Sequence, residues 1–343
     1  MFKFCSTLFL TLIFYGNVAC AHEFQKIYRL FDLLQNEYSE NANLKQASFT
    51  SNRVLSLYDS RIRLYYSDTK AFLYYNNQLV SQFILPTEST SPLWKNFTID
   101  VFNKSLEKSS SLKESVSKLE TTVLEHISQN LDKYSRVENN SIQPTSLEAT
   151  LKHNTLYVKL SSFVDGQALI LQQIIEQYPD IDGVILDLRG NRGGKFGEAL
   201  KITDLFLDSA IITYSQEKNR PRRYYTSHSG DILCGKPLAV LTNEFTASAA
   251  EIVVTALKEQ SRAILIGTKT YGKNSIQQMH SIGNKTLYLT SGHFYSPSGK
   301  NINNIGIEPE ICTALDKQCL HSDSANPEKD IMVALEFIKN HIS

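Results

Sequence analysis

The sequence lacks the patterns that mark several large classes of protein. Neither Cys-x-x-Cys nor His-Glu-x-x-His occurs among its 5 cysteines and 8 histidines, which argues against the common zinc sites. Basic and acidic residues are equal in number, 35 of each, so no excess of charge draws the chain to nucleic acid or to an acidic membrane. We therefore expect no metal, no cofactor and no nucleic-acid partner.

A membrane-spanning run is also missing. Residues 8–15 are apolar, but this run is shorter than the ~20 residues that cross a bilayer. It follows a basic start at Lys3 and precedes Ala19-Cys20-Ala21, a pattern typical of a secretory signal peptide. We expect residues 1–21 to be removed and the mature protein to be periplasmic or secreted. Lipoprotein anchoring at Cys20 is the alternative.

Cysteines are few beyond that segment. Cys234, Cys312 and Cys319 remain, and an odd number cannot pair completely within one chain. Cys312 and Cys319 lie seven residues apart in a polar stretch. In an oxidising compartment this spacing favours a small-loop disulfide, and two unpaired thiols are the alternative.

The apolar pattern changes along the 343 residues, a length that suits roughly two domains. Residues 22–136 are predicted to form an N-terminal α+β region that is mainly helical, and polar residues 137–154 a linker. Residues 155–343 alternate strands and helices, which predicts an α/β core with a C-terminal helix. Helices are predicted over 23–38, from Ser91-Pro92 onward, and over 112–131, 166–177, 197–207, 248–259 and 328–342. Strands are predicted over 61–66, 71–85 with a turn at Asn76-Asn77, 156–160, 183–188, 210–214, 237–242, 263–267 and 285–294.

Ser248 follows an apolar strand and stands where the next helix begins. This is where α/β enzymes hold a nucleophile. The pair Ser248 and Glu251 also matches Ser-x-x-Glu, a capping box in which the serine only caps the helix. The two roles are compatible, because the unpaired N–H groups at a helix start stabilise negative charge nearby.

Lys273 follows the next strand along the chain. Most lysines lie on the surface without a catalytic role. A lysine can act as a general base where burial favours its neutral amine. Gln277, four residues on, can hydrogen-bond to that amine without adding charge. Ser248 and Lys273 together predict a serine hydrolase that needs no catalytic histidine.

The turn Gly190-Asn191-Arg192-Gly193-Gly194 follows another apolar strand. Its spacing fits neither G-x-G-x-x-G nor a P-loop, so a phosphate site is disfavoured. The glycines can make a tight turn. Alternatively, they can let backbone N–H groups face a reacting carbonyl, as an oxyanion hole requires.

Taken together, these segments resemble the C-terminal processing, or tail-specific, serine peptidases. Residues 183–194 are similar to that family's D-L-R-x-N-x-G-G segment, 246–251 to its S-A-S-A-x-E run and 271–277 to its F-G-K-x-x-x-Q run. The spacing of 25 residues between Ser248 and Lys273 is also similar to the spacing in that family. Residues 131–136, 295–299 and 306–309 are similar to its L-D-x-x-S/T-R, Y-x-P-S-G and G-I-x-P-D segments.

The resemblance implies a Ser–Lys dyad. Ser248 would be the nucleophile, Lys273 the general base and Gln277 the residue that orients the lysine. The reaction would be endopeptidase cleavage of protein substrates near their C-termini.

The resemblance also implies a fold, an oxyanion hole and a mode of substrate binding. The core would be the family's α/β fold, related to the crotonase-like spiral. The N–H of Ala249, with that of Gly193 or Gly194, would form the oxyanion hole. Partners would be protein or peptide substrates, some of them close to a membrane, bound as an added strand and cut near apolar residues.

The chain departs from the family in two places. A peptide-binding PDZ domain usually precedes the core, but residues 137–154 are too few to form one, since domains need at least about 50 residues. We therefore expect a dyad that is assembled in the resting protein; regulation by residues 23–136 is the alternative. The family's D-x-G-R-A segment is also changed here, to Glu-Gln-Ser-Arg-Ala over residues 259–263.

Two other functions remain as alternatives. The chain could be a weakly active or inactive relative that binds extended peptides by strand addition. A Ser–His–Asp hydrolase of lipids or esters is less well supported, because the G-x-S-x-G elbow of those enzymes is missing.

Overall fold

A computed structural model describes residues 24–139, 147–283, 285–316, 318–322, 326 and 328–342. The predicted signal peptide lies outside these ranges. The chain forms two compact units, Met1–Asn140 with Gln277–Ser291, and Ser141–Ile276 with Gly292–Ser343. We call them the N-terminal unit and the core unit. The sequence predicted that the chain passes once from the first region to the second, whereas it returns to the N-terminal unit for residues 277–291.

The N-terminal unit is mainly helical, as predicted. Its helices are α1 (Gln25–Asn36), α2 (Leu44–Tyr58), α3 (Ser91–Lys108), α4 (Ser110–Glu114) and α5 (Val116–Ser128). Its first strands, β1 (Ile62–Tyr66), β2 (Lys70–Tyr75) and β3 (Gln78–Ile84), form an antiparallel sheet. The predicted turn joins β2 to β3 with φ of 51° at Asn76 and 64° at Asn77, left-handed values that asparagine tolerates.

The apolar faces of these helices form one core. Leu30, Phe31 and Phe102 are completely buried, and the Phe24 ring meets the Phe102 ring edge-on at 5.2 Å between centroids. Ile282, Leu287 and Leu289 belong to the same core, although they come from far along the chain. The returning segment is therefore part of this unit's hydrophobic interior.

The core unit is built on a six-stranded sheet. From residue 136 onward, the elements of the chain are β4 (Arg136–Asn139), β5 (Leu147–Lys152), β6 (Thr155–Leu160), α6 (Gln167–Glu176), β7 (Gly183–Asp187), α7 (Phe196–Asp204), β8 (Ile211–Glu217), β9 (Arg223–Thr226), β10 (Leu238–Thr242), α8 (Ala249–Glu259), β11 (Ile264–Gly267), β12 (Ser275–Ile282), β13 (Lys285–Tyr295), β14 (Ile311–Cys312) and α9 (Lys329–Asn340). Of these, β4, most of β12 and the first part of β13 belong to the N-terminal unit. The sheet order is β14-β11-β10-β7-β6-β5, and every pairing is parallel except β5 with β6.

Helices cover both faces of this sheet. Every residue of β7 and β10 is buried, which explains their continuous apolar sequence. Along β7, Val184 and Leu186 face the cluster that includes α6, α7 and α8, whereas Ile185 faces α9 with Ile331 and Ile338. The predicted α/β class, with a mainly helical N-terminal region, is confirmed.

A smaller set of strands completes each unit. In the core unit, the last residues of β13 pair with β8, and β8 pairs with β9. In the N-terminal unit, the first residues of β13 pair with β4. The predicted linker 137–154 therefore includes most of β4 and all of β5. Among the described residues, no helix is both long and apolar enough to cross a bilayer.

Candidate active site

Three turns meet at one edge of the six-stranded sheet. Strands β7, β10 and β11 are adjacent and parallel, with Val240 opposite both Leu186 and Leu265. Their carboxyl ends therefore lie side by side, the position at which open α/β sheets build sites. The glycine-rich turn follows β7, Ser248 follows β10 and Lys273 follows β11.

Ser248 has a strained backbone. Its φ of 58° and ψ of −120° lie outside the regions that non-glycine residues favour. Helix α8 begins at the next residue, Ala249, so the serine occupies a sharp strand-to-helix turn. Its side chain is half-buried rather than enclosed. A strained serine at such a turn is typical of a nucleophile held for attack.

One carboxylate joins the serine turn to the lysine loop. Glu251 Oε2 accepts the backbone N–H of Ser248 at 2.9 Å and that of Lys273 at 2.8 Å. Because both bonds end on one oxygen, the two backbone nitrogens lie within about 6 Å of each other. Glu251 Oε1 accepts the Thr270 hydroxyl at 2.6 Å and the Gly272 N–H at 2.7 Å. The structure thus brings together the two residues predicted to form the dyad.

Glu251 is completely buried. Burial raises the pKa of its carboxyl, and the hydrogen bonds from Thr270, Lys273, Gly272 and Ser248 oppose that rise. The sequence indicated only a helix cap here, and the bond from the Ser248 N–H is the glutamate's half of a capping box. The contacts with the lysine loop could not be predicted from the Ser-x-x-Glu spacing.

Replacing Glu251 with glutamine tests this clamp. Glutamine has one acceptor oxygen, so its NH₂ would face two of the four donors. We expect a loss of about 2–4 kcal/mol in the free energy of unfolding and a fall of at least ~10-fold in kcat/KM. Denaturant unfolding, and an assay of the peptidase activity that the sequence predicts, would measure both. Glu120→Gln, in the N-terminal unit, is the control, because Glu120 is also buried and accepts the Lys26 N–H at 2.9 Å. A folded Glu251→Gln protein with the full rate would contradict the clamp.

The loop that carries Lys273 is held by the backbone on several sides. The Tyr271 N–H donates to Thr246 O at 3.0 Å, and Gly272 O accepts the Asn304 N–H at 2.8 Å. Gly272 has a φ of 84°, and a Cβ there would lie 2.7 Å from Gly306 N, so only glycine fits before the lysine. Lys273 itself is half-buried.

The disulfide considered from the sequence is present in this neighbourhood. Cys312 and Cys319 are bonded, with their Cα atoms 6.0 Å apart. Cys319 O accepts the Lys269 N–H at 2.9 Å, four residues before Lys273. Cys234 is an exposed free cysteine. The small disulfide loop therefore supports the segment that leads to the lysine.

The glycine-rich turn packs directly on the serine turn. A Cβ on Gly193 would lie 3.0 Å from Ser248 Cβ and 3.0 Å from Ala249 N, and its φ is 104°. Gly194 lies against the backbone of Phe163, which again leaves no room for a side chain. The turn therefore needs glycine for close approach.

Asn191 orders this turn. Its carbonyl accepts the Ala247 N–H at 2.9 Å, and its side chain donates to Leu160 O at 2.8 Å. The Asn191 side chain also accepts the Gly193 N–H at 2.8 Å. Of the two glycines predicted as oxyanion donors, Gly193 therefore already has an acceptor for its N–H.

The Asp187–Arg189 pair supports the end of β7. Asp187 is completely buried and accepts Arg189 Nε at 2.9 Å and the Tyr157 hydroxyl at 2.7 Å. Arg189 also donates to Asp330, in α9, at 2.9 Å. These contacts fix the strand end from which the glycine-rich turn starts.

Gln277 lies in the N-terminal unit. Its side-chain nitrogen donates to Tyr134 O, and its oxygen accepts Arg136 Nη1 at 3.3 Å. Its predicted role in orienting Lys273 stays a prediction. Among the described residues, no group of three or more His, Cys, Asp or Glu side chains is placed to hold a metal ion.

The middle of the chain is similar to a family of known proteins. Residues 154–313 match the model of peptidase family S41. The carboxy-terminal-processing protease of Bartonella bacilliformis is 37% identical over 163 residues, which cover 45% of this chain and 38% of that protein. The chloroplastic carboxyl-terminal-processing peptidase 2 of Arabidopsis thaliana is 35% identical over 158 residues, which cover 45% of this chain and 31% of that protein. The matches thus span less than two fifths of these relatives.

Solved structures show weaker overall similarity. The photosystem II D1 C-terminal processing protease is 17% identical with a TM-score of 0.47, and the match covers 90% of this chain and 99% of that one. Mature CPAF is 13% identical with a TM-score of 0.47, and the match covers 95% of this chain and 99% of that one.

Proposed function

We propose that this protein, whose residues 154–313 match the model of peptidase family S41, is a serine endopeptidase that cleaves protein substrates near their C-termini through Ser248 and Lys273. The observation that carries the proposal is the Glu251 clamp, which holds the strained Ser248 and the backbone of Lys273 on one carboxylate oxygen. The names of the curated relatives, carboxy-terminal processing proteases, support a protein substrate.

The proposed reaction begins with attack of Ser248 Oγ on the scissile carbonyl carbon. The neutral amine of Lys273 takes the hydroxyl proton as the C–O bond forms. The resulting ammonium returns that proton to the leaving amine as the C–N bond breaks, which leaves an acyl-enzyme. Water then attacks the ester, Lys273 again moves the proton, and the new carboxyl terminus leaves.

The oxyanion of the tetrahedral intermediate needs two N–H donors. Ala249 is the first residue of α8, where helix N–H groups have no acceptor within the helix and the dipole favours negative charge. The Gly193 N–H donates to Asn191, so we assign the second donor to Gly194.

We further propose that the protein acts in an exported, oxidising compartment. The Cys312–Cys319 bond supports this location, since structural disulfides are rare in reducing compartments.

A fluorophosphonate probe and a substrate panel test the proposed function. The purified chain, with no partner added, should be labelled at Ser248 and should cleave an unstructured peptide faster than a simple ester. Labelling with preferred ester hydrolysis would indicate an esterase. Peptide binding without labelling or cleavage would indicate the inactive, strand-binding relative. Cleavage only after a partner is added would contradict an assembled resting dyad.

A further inference from the structure

The hairpin of β8 and β9 in the core unit concentrates positive charge. Lys218, Arg220, Arg222 and Arg223 fall within six residues of a chain whose net charge is zero. Arg220 pairs with Glu217 at 3.2 Å. Arg222 and Arg223 are both exposed, and neither forms an ion pair with any of the described residues. Arg222 also donates to the Tyr224 hydroxyl. A guanidinium has five N–H groups, so Arg222 keeps further donors for a ligand, as does Arg223.

Tyrosine rings hold both arginines in place. Arg222 Cζ lies 4.4 Å from the centroid of the Tyr214 ring, and Arg223 Cζ lies 4.9 Å from that of Tyr225. The Tyr214 ring stacks in turn on Tyr295 at 4.9 Å. A guanidinium that rests on a ring keeps its N–H edge for bidentate bonds to a carboxylate, and less side-chain entropy is lost when it binds.

The hairpin also offers a strand edge. Strand β9 pairs with β8 and ends its sheet order in the part of the chain that the structure describes. Successive side chains along a strand point to opposite faces. Arg223 and Tyr225 therefore lie on one face of the hairpin, and Arg222 and Tyr224 lie on the other. An extended peptide added to this edge would meet one arginine on each face.

An aromatic contact connects the hairpin with the proposed oxyanion turn. Phe196 comes two residues after Gly194, and its ring meets the Tyr225 ring at 5.0 Å between centroids. Arg223 is two residues from Tyr225. Two residue steps on each side and this ring contact place Arg223 at most about 30 Å from Gly194. Roughly six residues of extended peptide, about 20 Å, are a spacing within that limit.

We infer that Arg222 and Arg223 bind an acidic segment of the protein substrate, added as a strand to β9. Two neighbouring acidic residues, roughly six residues from the scissile bond, would face the two arginines on opposite sides of the strand. This inference rests on the proposed function, because it names a substrate class for the same site.

Binding to the inactive Ser248→Ala chain separates recognition from cleavage. A labelled peptide with an Asp-Glu pair six residues from its cleavage site would be compared, by fluorescence anisotropy, with the Asn-Gln peptide of the same length. We expect the acidic peptide to bind roughly three- to tenfold more tightly, the effect of two partly exposed charge pairs. Arg222→Gln with Arg223→Gln should remove the preference, and so should raising the salt from about 50 mM to about 300 mM.

Lys152→Gln with Lys339→Gln is the matched control. This double variant also removes two positive charges from the core unit, and one of them, Lys152, rests on the ring of Tyr157. It should still bind the acidic peptide more tightly than the neutral one. Equal affinity for the two peptides, or no binding of either, would overturn the inference. So would tighter binding of a single-stranded oligonucleotide of equal charge. Cleavage of the neutral peptide by the unmutated chain tests the proposed function separately.

Discussion

Replacing Ser248 with alanine should abolish peptide cleavage and leave the fold intact. The variant keeps the backbone N–H bond to Glu251 and loses only the hydroxyl, which is worth at most ~1 kcal/mol as a helix cap. Loss of the proposed nucleophile should lower kcat by at least ~10⁴-fold, as removal of the catalytic serine does in known serine peptidases. Steady-state cleavage, with circular dichroism to verify folding, would measure both.

Ser261→Ala is the matched control for this variant. Ser261 follows the other end of the same helix, α8, is exposed, and also has a left-handed φ, 54°. Its substitution should change neither the rate nor the fold. A folded Ser248→Ala protein that cleaves at the full rate would remove Ser248 as the nucleophile.

Replacing Lys273 with arginine should be nearly as damaging. The backbone bond to Glu251 does not depend on the side chain, so the loop should stay in place. Arginine keeps the positive charge but cannot release its proton at any accessible pH, so it cannot act as a base. We expect kcat to fall by at least ~10³-fold with a smaller change in KM, and kcat/KM of the unmutated enzyme to rise with pH as the ammonium loses its proton.

Lys269→Arg provides the comparison for the lysine loop. Lys269 lies four residues earlier, and its amine pairs with Glu308 at 3.2 Å, a contact that arginine can reproduce. This variant should keep close to the full rate. Near-normal cleavage by Lys273→Arg would exclude the Ser–Lys dyad and return attention to a histidine base.

The sequence predicted the core strands well because they are buried on both faces. Strands β7 and β10 match the predicted 183–188 and 237–242 to within a residue, since continuous apolar runs leave little choice of boundary. The candidate residues Ser248 and Lys273 were found for the same reason, because each follows such a strand. Adjacent parallel strands then place both at one edge of the sheet.

Other features could not be predicted because they depend on distant contacts. The donors to Glu251 at Thr270 and Gly272 lie about 20 residues along the chain, beyond any local pattern. Helix α2 was missed because Ser48, Ser51 and Asn52 lie on its buried side, which hides the apolar period. The predicted helix over 112–131 includes a break at Ser115, between α4 and α5.

The return of residues 277–291 to the N-terminal unit makes the two units inseparable by a single cut. A fragment starting at residue 141 would still carry Ile282, Leu287 and Leu289, which are at most 5% exposed in the intact chain and would lose the core that covers them. A fragment ending at residue 140 would lack the same three side chains from its interior. A cut at residue 140 therefore leaves the first fragment with an incomplete core and the second with three apolar side chains that it cannot cover.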